Sequence, residues 1–383
     1  MNELQSLPPS RGATEARSWF DVVNSEELQS PALLLFSERM EANFQEMLRI
    51  AGGPGRLRPH IKTHKLAELV QRQMELGITK FKCATLAEAN IAATAGATDL
   101  LLAYQPVGPN VKLLLELAER FPRCDFSCLV DNRDSIACLA EAAAKRSRVL
   151  EVLVDLDIGQ HRTGLAADQR VVDLYRLICG SRGLVAGGLH AYDGHLNDPD
   201  PAVRTAGCNA AFAPVEALRR ELLAAGLPVP RVVAGGSPTF AIHALREGVE
   251  LSPGTTVLWD ASYSQKLPDL HFLPAAVLLS RVVSKPTPSF LCLDLGHKAL
   301  ASEMPWPRAV FLNLPDVRFV GHSEEHLVVE TPHADQFEIG HVVYALPWHV
   351  CPTVALHEEA HVVTDRVATA TWRVVARSRG ISW

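Results

Sequence analysis

From about residue 55 to residue 255, short apolar runs alternate with longer amphipathic stretches. The apolar runs are Leu57–Lys62, Lys80–Ala84, Asp99–Tyr104, Asp125–Val130, Leu150–Asp157, Leu184–Ala191, Arg231–Ala234 and Val249–Ser252. Consecutive apolar positions over so few residues are the mark of strands buried on both faces. Between them, Leu66–Leu76, Leu86–Ala95, Asn110–Arg120, Ser135–Lys145, Asp168–Cys179 and Pro201–Ala225 repeat their apolar positions with the helical period. Strands and helical crossovers in regular alternation predict an α/β fold, a (β/α)8 TIM-type barrel. A doubly wound open sheet is the alternative, because counting strands does not prove closure. No G-x-G-x-x-G follows the first run, which weighs against a dinucleotide-binding sheet.

The pattern changes after Pro253. β-rich runs at Ala275–Ser284, Ser289–Leu295, Val317–Glu330, His341–Leu346 and Ala360–Arg377 follow one another with no long helical stretch. This predicts a second, C-terminal antiparallel β domain. The expected division is a barrel over 38–255 and a β domain over 256–383, with a strand near 31–37 ahead of the first barrel helix.

A chain of 383 residues is long for one core, in keeping with two domains. The net charge of −6 argues against a general nucleic-acid binder. No apolar run reaches the roughly 18 residues that span a bilayer. Met1–Thr14 is polar and lacks the apolar centre of a signal peptide, so a frayed start and a cytoplasmic location are expected. The eight cysteines form no C-x-x-C and read mainly as small buried hydrophobes, Cys351 excepted.

The chemistry concentrates at strand ends. Arg58-Pro59-His60-Ile61-Lys62-Thr63-His64-Lys65 closes the first run with two lysines, either a solvated basic loop or the seat of a lysine that forms a Schiff base. Val154–Gly164 closes the fifth run and carries Arg162. His190-Ala191-Tyr192-Asp193-Gly194-His195 follows the sixth. Ala234-Gly235-Gly236-Ser237-Pro238-Thr239 follows the seventh, where paired glycines and two hydroxyls suit an anion, aided by Pro253-Gly254-Thr255-Thr256. In Pro347-Trp348-His349-Val350-Cys351-Pro352-Thr353, His349 and Cys351 lie two apart; on an extended segment both face one way and can reach one metal. An imidazole with a thiolate suits Zn²⁺. His357 and His361 are weaker alternatives as ligands.

The order R-P-H-x-K-T-H-K, the Gly-Gly-Ser turn and P-x-H-x-C-P-T together resemble the D-threonine aldolase and D-serine dehydratase family of fold-type III pyridoxal phosphate enzymes. The resemblance runs from about Pro31 to Arg377. It assigns the Schiff base to Lys62 and leaves Lys65 as a surface residue at a helix start. It implies that Arg162, from a segment like the family's D-x-G-x-x-R-x-G, faces the pyridine side of pyridoxal phosphate, a carboxylate clamp or surface role being the alternatives. Tyr192 would bind or orient the ring, and His195 is either a proton-transfer residue or a loop histidine. Gly235, Gly236, Ser237 and Thr239 would form the phosphate cup, helped by the start of a helix near Thr239, with Tyr263 near the cofactor. His349 and Cys351 would bind Zn²⁺, with Mn²⁺ or Mg²⁺ as alternatives. A looser match, Asp294–Ser302, places Asp294 and Lys298 at an interface or the substrate entrance. The strand near Ala32–Phe36 would join the C-terminal sheet.

The implied activity is a metal-dependent lyase acting on a small D-3-hydroxy amino acid in a homodimer. Dehydration to a 2-oxo acid and ammonia is narrowly preferred, because a cysteine at the second metal position looks more like the dehydratase branch. Retro-aldol cleavage to glycine and an aldehyde is the alternative. An amino-acid racemase and a non-enzymatic cofactor carrier fit less well, the latter because such carriers are single barrels.

Overall fold

The computed structural model describes residues 18–381, so the expected frayed start Met1–Thr14 lies outside the described residues. Among the described residues, sixteen strands form two sheets. β1 (Ala32–Phe36) belongs to the second. β2 (Lys80–Cys83), β3 (Asp99–Leu102), β4 (Asp125–Val130), β5 (Leu150–Leu156), β6 (Leu184–Ala191), β7 (Val232–Ala234) and β8 (Val249–Leu251) lie side by side in that order, every pair parallel.

The first predicted strand closes this ring, in a shorter form. Leu57 bridges Leu251 on one side and His60 bridges Lys82 on the other. The Arg58 N–H donates to the Leu251 carbonyl (2.8 Å), the His60 N–H to that of Pro253 (2.8 Å) and the Ile61 N–H to that of Lys82 (2.9 Å). Pro59 has no N–H, so a regular ladder cannot run through it. The extended segment therefore ends at His60, and Lys62 sits in the turn 61–64 rather than on a strand as expected. The arrangement is a barrel and not an open sheet. Helices Ala67–Glu75, Leu86–Ala95, Pro109–Arg120, Arg133–Lys145, Gln169–Gly180 and Pro201–Ala224 form the crossovers, each within two residues of its expected bounds.

Inside the barrel, Leu101, Leu129, Leu153 and Val233 form an apolar layer. The end of the barrel away from Lys62 is ionic. Arg58, fully buried, donates to both oxygens of Asp99 (2.7 and 2.8 Å) and to Glu250 (2.7 Å), which also accepts from Lys80 (2.7 Å). Burial opposes the charge on Arg58, but the two carboxylates outweigh it and push its pKa up. Part of the basic motif is thus a structural plug at the opposite end of the barrel from the chemistry.

The second sheet comprises β1 with β9 (Ala276–Thr287), β10 (Phe290–Leu293), β11 (Ala309–Phe311), β12 (Arg318–His322), β13 (Leu327–Glu330), β14 (Val342–Pro347), β15 (Glu359–Thr364) and β16 (Val367–Arg373). Its path is β12-β13-β10-β9-β1-β15-β16, with β14 also on β9 and β11 on β14. Every pair is antiparallel except β1 with β15. The runs Val317–Glu330 and Ala360–Arg377 each fold into a hairpin. All five residues of β1 are buried, so the strand from the start of the described chain fills the middle of the C-terminal sheet. No helix of the described residues is long and apolar enough to cross a membrane.

Candidate active site

The ends of the parallel strands that follow Lys62 in space carry most of the predicted residues, as barrel geometry requires. Tyr192, just past β6, stands among three cations. Arg162 Cζ lies 5.0 Å, Lys82 Nζ 5.7 Å and Lys62 Nζ 5.9 Å from its ring centroid. Arg162 is presented by a loop that is locally locked. Asp157 Oδ1 accepts the N–H groups of Gly159 (3.0 Å) and His161 (2.9 Å), and Gly164 holds φ +92° where a Cβ would meet Asp157 N at 2.7 Å. Only glycine turns the chain there without a clash. His195 packs on this loop, its Nε2 2.9 Å from where a Cβ on Gly159 would stand, and its Nδ1 is buried with no partner among the described residues.

The loop after β7 is fixed from below by Asp193. Its Oδ1 accepts the Gly236 N–H (3.1 Å) and the Thr239 hydroxyl (2.6 Å), while Oδ2 lies 2.7 Å from His243 Nε2. Gly235 takes φ +85° to make the turn. Ser237 Oγ accepts N–H groups from Gly254 (3.1 Å) and Thr255 (2.9 Å), so the two predicted anion loops meet. The helix expected near Thr239 is short, Phe240–Ala244, and Thr239 is its N-cap residue. Asp193, Cys208 and His243 are also close enough together to hold a metal ion. Arg246 lies 3.1 Å from His243 Nδ1 and 3.9 Å from Cys208 Sγ, a cation where a second cation would be repelled.

His349 and Cys351 converge, but not on an extended segment. Val350–Leu356 is a helix, His349 is its N-cap residue and Cys351 lies in its first turn. The helix start is capped by Asp260, whose Oδ2 accepts the Val350 N–H (3.1 Å), while the Thr353 hydroxyl donates back to the His349 carbonyl (2.8 Å). The two side chains are close enough to shift each other's titration. Burial draws the imidazole down, but Cys351 and Glu303 outweigh it and raise His349 to about 9. Burial likewise raises the thiol, but His349, then the charge of Lys62, bring Cys351 below its usual value. Glu303 holds His349 Nδ1 at 2.5 Å, the carboxylate–imidazole arrangement that orients a metal ligand. Cys351 Sγ lies 3.2 Å from the Thr63 hydroxyl and 3.7 Å from that of Thr255, so the His–Cys pair sits beside the Lys62 turn and the anion loops. Tyr263, on the helix Ala261–Lys266, feels both Tyr192 and Cys351.

The other predicted positions have partners outside this cluster. Lys65 is not a surface residue: it takes φ 57° and pairs with the buried Glu88. His357 Nε2 donates to the Ala299 carbonyl (2.8 Å), and His361 lies on β15 against Thr371 (3.2 Å). Asp294 accepts from Ser280 (2.7 Å) and the Arg281 N–H (2.8 Å), and Lys298 pairs with Glu324 (2.8 Å) and Glu325 (2.9 Å).

Residues 37–260 match the family described as alanine racemase, N-terminal domain, and residues 275–363 the putative serine dehydratase domain. The D-threonine aldolase of Arthrobacter sp is 31% identical over 357 residues, 91% of this chain and 93% of that one. The chain belongs to the D-threonine aldolase and D-serine dehydratase-like family of fold-type III enzymes. A D-threo-3-hydroxyaspartate dehydratase of Delftia sp. (strain HT23) is 26% identical over 380 residues, 90% of this chain and 97% of that one. The solved D-threonine aldolase of Filomicrobium marinum superimposes with a TM-score of 0.85 at 29% identity, covering 92% and 96% of the two chains. With relatives named both as aldolases and as a dehydratase, this family member is a lyase of that combined type.

Sequence reasoning missed three groups of this site. Lys82 is 2% exposed on β2, and burial, then Lys62, lower it to about 7. His190 and Asp155, on β6 and β5, hydrogen-bond inside the barrel at 2.7 Å, and His190 Nε2 is buried with no partner among the described residues. Asp260 receives the N–H groups of both Tyr263 (2.9 Å) and Val350 (3.1 Å), and burial raises it to about 6. Strand alternation was the available signal for Lys82: in Lys80-Phe81-Lys82-Cys83 the two lysines share the face that looks into the barrel.

Proposed function

We propose that the protein is a pyridoxal phosphate- and metal-dependent lyase for a D-3-hydroxy amino acid, with dehydration as the preferred outcome. The observation that carries this reading is the 3.2 Å approach of Cys351 to Thr63, which brings the His–Cys pair beside the Lys62 turn. The cofactor's phosphate and phenolate are anionic, and the surroundings fit them. Lys62, Lys82 and Arg162 cluster at the barrel mouth, and the two Ser237-linked loops bring backbone N–H groups together without bulky side chains. Lys62 would hold the cofactor covalently through Nζ; Gly235, Gly236, Ser237 and Thr239 would seat the phosphate; Tyr192, Arg162 and Tyr263 would confine the ring. When bound, pyridoxal phosphate withdraws electrons from the substrate's Cα.

His349 and Cys351 fit one Zn²⁺. Glu303 occupies Nδ1 of the imidazole and leaves Nε2 for the ion, and Cys351, held below the usual thiol value by His349, offers the sulfur ligand. A zinc ion held there would polarise the substrate's 3-hydroxyl as a Lewis acid. Lys62 Nζ would also be the amine placed to take the Cα proton. His195, with an unpartnered Nδ1, is the candidate to pass a proton to or from the departing group. Retro-aldol cleavage is the second reading. It is favoured by the relatives named D-threonine aldolase and 3-hydroxy-D-aspartate aldolase, 31% and 27% identical.

The test is incubation of the cofactor- and zinc-loaded enzyme with D-serine, D-threonine and D-threo-3-hydroxyaspartate, measuring ammonia, 2-oxo acid and glycine. Equal yields of ammonia and 2-oxo acid support dehydration, whereas glycine with aldehyde establishes the second reading. Borohydride reduction should place the cofactor on Lys62; a label on Lys65 or Lys298 refutes the assignment.

A further inference from the structure

The barrel interior holds more charge than the proposed chemistry uses. Lys82 rises from β2, and His60, on the segment that pairs with β2, lies beside it. The charged and titratable groups that act on Lys82 are Lys62 from the turn, Arg58 and His60 from the closing segment, Asp155 and His190 from β5 and β6, and Asp193 beyond β6. Asp155 takes the Nδ1 side of His190 at 2.7 Å, and Thr163 donates to the other oxygen of Asp155 at 2.7 Å. A proton on Nδ1 leaves Nε2 as an acceptor, and that atom is buried with no partner among the described residues. Asp155 is itself held below its usual range; burial opposes this, and His190 is the main stabilising partner. Lys82 thus faces the same barrel interior as the hydrogen-bonded Asp155–His190 pair, and their charges act on one another. Its Nζ lies 5.7 Å from the centroid of the Tyr192 ring.

We propose that Lys82 is the charge-setting residue of the cofactor site: its ammonium, backed by the Asp155–His190 pair, stabilises the anionic ring of bound pyridoxal phosphate, and deprotonation removes that support. The inference rests on the proposed cofactor site. Burial drives Lys82 toward the neutral amine, and a bound anion opposes that drift. Binding and the absorption of the bound cofactor then change together as Lys82 titrates.

The experiment measures pyridoxal phosphate binding by equilibrium dialysis, and the absorption of the bound cofactor, from pH 6 to pH 9. The wild type, Lys82→Met and Lys82→Arg are compared. The wild type should show a pH-dependent spectral transition. Lys82→Met should lack it and bind roughly tenfold more weakly at pH 6, with the difference shrinking toward pH 9. Lys82→Arg should retain the low-pH spectrum across the range, and this variant decides the matter if the methionine protein does not fold. A transition of unchanged midpoint in either variant overturns the proposal. Borohydride mapping on the wild type separates the two layers: no label on Lys62 defeats the cofactor site itself, whereas a label on Lys62 with unchanged transitions defeats only the role of Lys82.

Discussion

Lys82 weakens the fold at neutral and acidic pH even as it serves the site. Its folded value of about 7 lies below the ordinary 10.5, chiefly because burial disfavours the ammonium. Below pH 7 the lysine is protonated in both folded and unfolded chains, and the folded chain bears the full burial penalty. As pH rises from 7 to 10.5 the unfolded chain binds more protons than the folded one, so stability climbs; above that range the amine is neutral in both. Lys82→Met in the cofactor-free protein should therefore gain on the order of a few kcal/mol at pH 6 and little at pH 10. Denaturant melts at the two pH values check this, and a gain equal at both would contradict the cause given. Arg58 is the opposite case. Its carboxylate partners Asp99 and Glu250 are both held below their usual values; burial opposes this and Arg58 is the leading cause. That stability is present above the ordinary carboxylate range and lost as pH falls through their lowered values. Removing the cation takes the main partner from two half-buried carboxylates, while Lys80 still pairs with Glu250 and Arg231 with Asp99, so Arg58→Met should cost about 3 kcal/mol near pH 7 and less at pH 3, read from the same melts. The sequence motif put both kinds of residue on one line. Lys62 was legible from its neighbours, but nothing local says that Arg58 looks down the barrel and Lys62 up.

At the scale of elements, strands buried on both faces and amphipathic crossovers left a clear period, and the six long barrel helices fall where that period puts them. Short elements were not legible. Val350–Leu356 spans seven residues, and its helical form depends on Asp260, ninety positions away in sequence from Val350. No local pattern encodes such a cap. The same carboxylate caps the helix bearing Tyr263, so one side chain sets two walls of the site. Asp260→Ala removes both caps and should lower stability by about 1–2 kcal/mol per helix. Because His349 and Cys351 stand at the start of the second helix, zinc per chain should fall as well. Thermal melts and metal analysis on the same sample test this. A lowered melting temperature with full zinc occupancy would mean that Asp260 holds the helix without placing the ligands.

At the scale of the whole molecule, Tyr104 and Val107 are exposed just past β3, at the end where Lys62 lies, and Trp306 is exposed three positions in sequence from Glu303, the partner of His349. Apolar exposure on both domains, with a site that must exclude water, argues for a covering partner. A second copy of the chain, related by a two-fold axis and meeting each mouth with its C-terminal sheet, would bury well over about 2,000 Å² if obligate. We predict an obligate head-to-tail homodimer whose two sites are each built mainly from one chain, since Cys351 reaches Thr63 within a single chain at 3.2 Å. Light scattering should give twice the chain mass, and Tyr104→Glu with Trp306→Glu should give inactive monomers. Mixing Lys62→Ala with Cys351→Ala chains after unfolding and refolding together distinguishes the two ways of building the site. If lysine and metal pair came from different chains, mixed dimers would contain one intact site and recover up to about half the activity per dimer, as a symmetric interface requires. With both on one chain, every site in the mixture lacks one group and no activity returns. An active wild-type monomer would refute the dimer, and recovered activity would refute the single-chain site.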